Sequence, residues 1–225
     1  MLVDTRVLEL LSSRLCHDLI SPVSAVNNGV ELINDIGNSV VDEAMKLIGD
    51  SAQVTARRLR LFRLAYGRAG SEAGLAISSV RQTVLVYAEG SRVAMTWPDN
   101  APDEAFAAHR GALKALVNAT LFAEELLPYG GTLEITASQG TESTATPMCR
   151  IILSGRRGPS LSPFTEALDG SLPVDDLTPR TIQPYVTGLF ARAFGLDVVL
   201  RPVEPERVDL VLTVLPAASG EALPA

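Results

Sequence analysis

Cysteine, histidine and tryptophan are scarce in this chain of 225 residues, which contains two, two and one of them. Cys16 and Cys149 lie far apart and form no C-x-x-C pair, so neither a zinc site nor a disulfide framework is expected. No run approaches the roughly 18 uninterrupted apolar residues of a membrane span. The amino terminus also lacks the basic end and the cleavage site of a signal peptide. These absences predict a cytoplasmic protein without a membrane anchor.

Basic residues are outnumbered, with 19 lysines and arginines against 26 aspartates and glutamates and a net charge of −7. Nucleic acid is bound by basic surfaces, so it is not an expected partner. One local exception is a basic cluster at the end of the second helical stretch, formed by Arg57, Arg58, Arg60, Arg63 and Arg68. Hydrophobic residues make up 47% of the chain, which is ample for a folded core.

The amino-terminal segment predicts a hairpin of two long antiparallel helices. Apolar residues recur every three or four positions, which indicates an amphipathic helix with Asp4 at its N-cap and a turn at residues 34–38. A second apolar stripe ends near Gly67, and Ser39 with Asp42 is typical of a capping box at its start. One hairpin cannot bury both stripes. We therefore expect a homodimeric four-helix bundle, the alternative being a monomer whose C-terminal domain covers the stripe.

His17 lies on the first helix but off its apolar stripe. It follows the stripe residue Leu15 by two positions, which is roughly 200° of rotation, so the imidazole points to another face. That face is small and polar, and it contains Ser13, Ser21, Ser24 and Asn28. A solvated helix histidine is the ordinary interpretation of such a residue. The alternative is a side chain left open to a partner.

Asp18 and Pro22 favour the second interpretation. Asp18 directly follows the histidine and can set the tautomer of its ring. Pro22 has no N–H to give to the carbonyl of Asp18 four residues earlier, so a bend is expected one turn after the histidine. A proline in a helix interior costs about 3 kcal/mol, and presentation of His17 would explain its presence.

The segment from His17 to Pro22, HDLISP, resembles the phosphoacceptor box of histidine kinase dimerisation domains, in which an acidic residue follows the histidine and a proline lies five positions on. The longer segment RLCHDLISPVSAVNNGVELI, residues 14–33, is similar to the dimeric histidine phosphotransferases of the ChpT type. This resemblance implies that His17 is a phosphoacceptor and that Asp18 orients its ring.

The same resemblance implies a multistep phosphorelay without autokinase activity. His17 would accept a phosphoryl group from the receiver-domain aspartate of a hybrid histidine kinase and pass it to response regulator receiver domains. The receiver would supply Mg²⁺, and this chain would bind no metal or cofactor. Small residues let a receiver approach closely, so the expected contacts are Ser13, Ser21, Ser24 and Asn28.

Arg57 and Arg58 are expected near His17, because folding the hairpin about Gly37 places them roughly level with it on the opposite arm. Two interpretations stay open for them. They form a solvated face paired with nearby carboxylates, or they bind the partner by neutralising the phosphoryl group and steering an acidic receiver domain.

The rest of the chain predicts an α/β sandwich with helices on one face of a mixed sheet, so that the fold class is α+β. A linker at residues 68–74 separates a hairpin domain, 1–68, from a second domain, 75–216, and residues 217–225 are expected to be disordered. Helices are predicted at about 78–89, 106–127 and 183–194. Strands are predicted at 92–97, 132–138, 149–155, 197–203 and 207–215.

This order of elements resembles the Bergerat fold, the ATP-binding domain of histidine kinases. Asn118, within LKALVNATLFAEELLPYGGTLEI, falls on the family's magnesium-binding asparagine. The adenine-recognition motif D-x-G-x-G is replaced by SGRRGPS at residues 154–160, and the glycine-rich box is reduced to Gly188. A phosphate cradle needs glycines that let the backbone approach. The resemblance therefore implies a degenerate domain that does not bind ATP and holds the partner instead.

Three rival functions are open at this point. A true sensor histidine kinase would bind ATP and label itself. A non-catalytic scaffold would bind receiver domains without chemistry, and a helical adaptor dimer would leave His17 without a role. The other histidine, His109, is expected to be structural or solvated.

Overall fold

The structure, a computed structural model, describes residues 4–72, 74–138, 146–156 and 160–216. It is α+β, as predicted, with two long helices followed by a five-stranded sheet and its helices. The helices are α1 Thr5–Ile36, α2 Val41–Ala65, α3 Ile77–Ala88, α4 Glu104–Ala108, α5 Ala112–Glu125, α6 Ser162–Asp169 and α7 Ile182–Ala193. The strands are β1 Val93–Thr96, β2 Gly131–Ser138, β3 Met148–Ser154, β4 Leu196–Glu204 and β5 Arg207–Val214. Within these described ranges, no helix combines the length and the hydropathy that crossing a bilayer requires.

Helices α1 and α2 pack against each other as the predicted hairpin. Asp4 caps α1 as predicted, since its Oδ1 accepts a hydrogen bond from the Arg6 N–H at 2.8 Å. The helices approach closely at Gly29, where a Cβ would lie 2.6 Å from Cγ1 of Ile48 and 3.2 Å from the carbonyl oxygen of Ala44. Any larger residue at this position would require the Ile48 side chain or the two helices to shift.

The predicted cap at Ser39 was wrong. Helix α2 begins at Val41, and its N-cap residue Val40 makes no side-chain cap hydrogen bond. The chain passes from α1 to α2 through a 3₁₀ turn, Gly37–Val40. A serine that caps a helix has an extended backbone while its side chain accepts a hydrogen bond from the first turn. Ser39 instead lies within the 3₁₀ turn.

The sheet is mixed and has the strand order β1-β2-β3-β5-β4. Strand β1 pairs with β2 in parallel, and every other neighbouring pair is antiparallel. In the centre, Ile151 of β3 lies between Ile135 of β2 and Leu210 of β5. Alternate residues of β3 are buried, namely Cys149, Ile151 and Leu153, which is the pattern of a sheet with one covered face.

Helix α5 lies at the centre of the C-terminal part, and every residue from Ala112 to Ala123 is buried. It contacts strands β3 and β5, helix α7 and the end of α2. The Nζ of Lys114 donates a hydrogen bond to the carbonyl oxygen of Gly67, just after α2, at 2.7 Å. Helix α5 therefore joins the sheet to the hairpin.

All five predicted strands are present, but two details of the helical prediction were wrong. The helix expected at 106–127 is divided into α4 and α5, because Gly111 has a φ of 79°, in the left-handed region that favours glycine. Helix α6 was not predicted; Pro163 lies in its first turn, where proline is tolerated. The tail expected at 217–225 lies outside the described residues.

Candidate functional site

His17 lies in the first half of α1 with its imidazole almost free, at 87% exposure of the side chain. Its Nδ1 is 3.4 Å from Oδ1 of Asp18. A carboxylate only accepts hydrogen bonds, so Nδ1 is the donor in this contact, and in the neutral ring the lone pair then lies on Nε2. The side chain that carries this nitrogen is open to solvent.

The polar face predicted around His17 is present. Because α1 is continuous, positions four residues before and four, seven and eleven residues after His17 share one face of the helix. All four side chains at these positions are exposed: Ser13, Ser21, Ser24 and Asn28. The structure therefore brings every predicted α1 contact residue to the same side as the imidazole.

Pro22 lies buried inside α1, which continues through it to Ile36. Proline supplies no N–H, so the carbonyl of Asp18 lacks the donor that a helix ordinarily provides. The guanidinium of Arg58, on α2, donates a hydrogen bond from Nη1 to this carbonyl oxygen. Arg58 is thus near His17, as counting along the hairpin predicted, and its donor is directed at the backbone.

Arg57 is also close to this region but points to the C-terminal part. Its Nη2 lies 2.7 Å from Oε2 of Glu89, the residue that follows α3. The pair agrees with the interpretation of a basic surface paired with carboxylates. It also links α2 to the helix that begins the sheet-containing part.

An ion pair that the sequence did not reveal joins α1 to α5. The Nη2 of Arg14 contacts Oε1 of Glu125, and both side chains are largely buried. Burial raises the pKa of Glu125 to about 7, although the positive charge of Arg14 acts to lower it. The only local signal was that Arg14 lies three positions before His17, a spacing that places both on neighbouring parts of one helix face.

This ion pair lies in an open cleft of about 990 Å³ between α1 and the C-terminal part. Arg14, His17 and Asp18 line it from α1. The opposite wall is formed by the end of α5, by α6 and by the segment before α7, and includes Tyr129, Phe164 and Arg180. His17 therefore faces a space bounded by two parts of the chain that are distant in sequence.

Asn118, which falls on the metal-binding asparagine of the resembled kinases, is completely buried. Its Nδ2 donates hydrogen bonds to the carbonyl oxygens of Ala65 at 2.7 Å and Lys114 at 2.9 Å. Its Oδ1 lies 3.3 Å from Nε2 of Gln183 on α7. The amide is fully occupied in packing α5 against α2 and α7. No group of three or more histidine, cysteine, aspartate or glutamate side chains suited to a metal occurs among the described residues.

Gly188, which the resemblance to the Bergerat fold places at the glycine-rich box, lies where α7 crosses α6. A Cβ at this position would be 1.8 Å from the carbonyl oxygen of Leu168. The same carbonyl accepts a hydrogen bond of 2.7 Å from Nη1 of Arg192. This glycine permits close contact between two helices, and its backbone is covered by protein.

Three comparisons relate the chain to known proteins. Residues 78–206 match the family model described as the histidine phosphotransferase C-terminal domain. Over 191 residues the chain is 32% identical to the protein phosphotransferase ChpT of Brucella abortus (strain 2308), covering 84% of this chain and 87% of that protein. A solved structure of a bacterial phosphotransferase superposes with a TM-score of 0.71 at 27% identity, over 94% of this chain and 98% of the other.

The family match covers the sheet-containing part, whereas His17 lies outside it on α1. The ChpT relative and the solved phosphotransferase extend the similarity over most of the chain. The resemblance of the His17 segment and these two matches indicate the same family. The chain belongs to the histidine phosphotransferase family of the ChpT type.

Proposed function

We propose that this protein carries a phosphoryl group on His17 in a multistep phosphorelay, accepting it from one receiver-domain aspartate and passing it to another. The geometry at His17 is the observation that carries the proposal. An exposed imidazole whose Nδ1 faces a carboxylate presents Nε2 to an incoming partner. Membership of the histidine phosphotransferase family supports the same chemistry.

Transfer to His17 exchanges one bond to phosphorus for another. The lone pair of Nε2 attacks in line, the bond from phosphorus to the aspartate oxygen breaks, and the electron pair leaves with the receiver's carboxylate. The hydrogen on Nδ1 stays directed at Asp18 throughout. Transfer to the second receiver is the same step in reverse. Such loose transfer states need positioning and charge neutralisation more than covalent catalysis.

The partners in this proposal are the receiver domain of a hybrid histidine kinase and the receiver domains of response regulators, all in the cytoplasm. The receiver brings Mg²⁺, and this chain contributes no cofactor. The exposed side chains of Ser13, Ser21, Ser24 and Asn28 form the receiver contact on α1. Arg57 and Arg58 lie beside this contact on α2, where Arg57 pairs with Glu89 and Arg58 bonds to the Asp18 carbonyl oxygen.

We also propose that two chains associate through their hairpin domains, residues 1–68, as a four-helix bundle. Exposed large apolar side chains of the described residues are concentrated there, with six on α1 and four on α2 against three elsewhere. They are Leu8, Ile20, Val23, Val30, Leu32, Ile36, Met45, Leu47, Val54 and Leu59. The C-terminal part leaves them uncovered, and a second hairpin would bury them.

The C-terminal domain, residues 75–216, is proposed to be a degenerate relative of the Bergerat ATPase fold that does not bind ATP. Two local features support this. The side-chain amide of Asn118 forms internal hydrogen bonds, and Gly188 lies in close contact with the backbone of Leu168. Neither residue is free to contact a nucleotide or its metal.

The proposal is tested with a receiver domain carrying ³²P-labelled aspartyl phosphate, mixed with Mg²⁺ and this protein. We expect acid-labile label on the wild-type chain and on His109→Gln, since His109 is used in packing through its Nε2 contact with the Phe194 carbonyl oxygen at 2.7 Å. The His17→Gln chain should stay unlabelled. Labelling of the chain by ATP alone would indicate a kinase, and receiver binding without any label would indicate a scaffold.

A further inference from the structure

The carbonyl of Asp18, the residue after His17, lacks its ordinary helical hydrogen bond. In an α-helix each carbonyl accepts from the N–H four residues later. For the carbonyl of Asp18 that residue is Pro22, which has no N–H and is buried inside α1. A carbonyl left unpaired in a partly buried position is costly, so a replacement donor is needed.

Arg58 supplies that donor from the other arm of the hairpin. Its Nη1 bonds to the Asp18 carbonyl oxygen across 40 positions of sequence, and the arginine is half-buried. The guanidinium is charged, which strengthens a hydrogen bond relative to a neutral amide donor. The neighbouring Arg57 pairs with Glu89, so Arg58 is the arginine that bonds to the Asp18 carbonyl oxygen.

The same residue, Asp18, meets both Arg58 and His17. Its carbonyl oxygen is held by Arg58, while its Oδ1 faces the Nδ1 of His17 at 3.4 Å. Fixing the peptide of Asp18 fixes where its side chain starts and therefore where the imidazole is directed. We propose that Arg58 is a positioning residue, which replaces the missing N–H of Pro22 and thereby holds His17 in the orientation for transfer.

This inference rests on the proposed function of His17, and a double-mutant cycle separates the two. Arg58→Met removes the donor but keeps an unbranched side chain, and Pro22→Ala restores the N–H that makes the donor unnecessary. Arg63 is an exposed arginine on the same helix, and Arg63→Met is the control for the lost charge. The single-turnover transfer rate from a phosphorylated receiver and the receiver affinity are measured for each variant.

We expect Arg58→Met to slow transfer about tenfold with unchanged receiver affinity, because small misplacements of a reacting group are costly. In the Pro22→Ala background the same substitution should change the rate less than about twofold, since the backbone bond is restored. Arg63→Met should behave as the wild type. An equal loss in both backgrounds, or a loss of receiver affinity in place of rate, would overturn the inference and favour direct contact of Arg58 with the partner.

Urea unfolding of the wild type, the two single variants and the double variant tests the bond from Arg58 to Asp18 independently of any transfer. Arg58→Met should lower the unfolding midpoint when residue 22 is proline and leave it nearly unchanged when residue 22 is alanine. Equal shifts in both backgrounds would contradict the inference. If the wild-type chain accepts no phosphoryl group, the proposed function fails, while this unfolding cycle still tests the bond from Arg58 to Asp18.

Discussion

Arg14 and Glu125 form an ion pair that joins the helix carrying His17 to the central helix of the C-terminal part. The pair lies in the cleft that His17 faces, one helical turn before the histidine. It shows that the two parts of the chain are connected at the site itself. Changes at either residue should therefore affect both stability and the shape of the cleft.

The first prediction concerns pH. Burial raises the pKa of Glu125 to about 7 from an ordinary value of 4.5, so between these values the folded chain keeps a proton that the unfolded chain has lost. The free energy of unfolding should then be larger at pH 5 than at pH 7.5, because stability falls with rising pH wherever the folded state binds more protons.

Urea unfolding at a series of pH values measures this effect. Glu125→Gln should flatten the dependence across this range, whereas Glu9→Gln, an exposed glutamate on α1, should not. A pH dependence that is the same in all three proteins would show that Glu125 is ionised throughout.

The second prediction concerns the orientation of the His17 ring. Asp18→Asn replaces an obligate acceptor by an amide that can also present donors, so the tautomer and direction of the imidazole are less well defined. We expect phosphoryl transfer to slow by about tenfold or more, because small misplacements of a reacting group are costly. Asp35→Asn, an exposed aspartate near the end of α1, is the matched control. Rapid-quench transfer assays give both rates, and a wild-type rate for Asp18→Asn would remove Asp18 from the mechanism.

The third prediction concerns self-association. Val30 on α1 is 46% exposed and Val203 on β4 is 49% exposed, so the two valines are nearly equal in exposure but lie in different parts of the fold. A charge at Val30 would be buried in the proposed bundle without a partner, which is strongly unfavourable. Light scattering should report a dimer for the wild type and for Val203→Asp, and a monomer for Val30→Asp. A monomeric wild-type chain would rule out the bundle.

The fourth prediction concerns Gly188, where α7 crosses α6. Gly188→Ala forces a methyl group against the Leu168 carbonyl oxygen, and overpacking of this kind costs about 1–3 kcal/mol. Gly49→Ala is the control, because nothing lies within 4 Å of a Cβ there and alanine favours a helix by about 1 kcal/mol. Thermal unfolding should show a lower Tm for the first variant and an unchanged or higher Tm for the second. Equal effects would mean that α6 and α7 are not in close contact.

The local surroundings of His17 could be predicted from sequence because one helix places them. A continuous α1 fixes the spacing of its serines and Asn28, and that spacing is visible in the residues themselves. The bonds from Arg14 to Glu125 and from Arg58 to Asp18 join positions 111 and 40 apart. Such contacts depend on how elements pack, which periodicity does not encode.

The errors within the C-terminal part have local causes. The apolar pattern of residues 106–127 continues through Gly111, and periodicity gave no sign that this glycine adopts a positive φ. For Asn118, by contrast, the sequence suggested a role that the structure does not support. Its residue type matched a metal ligand, but burial among Ala65, Lys114 and Gln183 assigns it to packing.

The most direct test of the central claim is to follow one phosphoryl group along the relay. A donor receiver carrying labelled aspartyl phosphate is mixed with this protein and a second, unlabelled receiver in Mg²⁺, and the reaction is quenched at intervals. If His17 carries the phosphoryl group, label appears first on His17 and then on the second receiver, and His17→Gln blocks both steps. Label that reaches the second receiver in the His17→Gln mixture, or that resides on another residue of this chain, would contradict it.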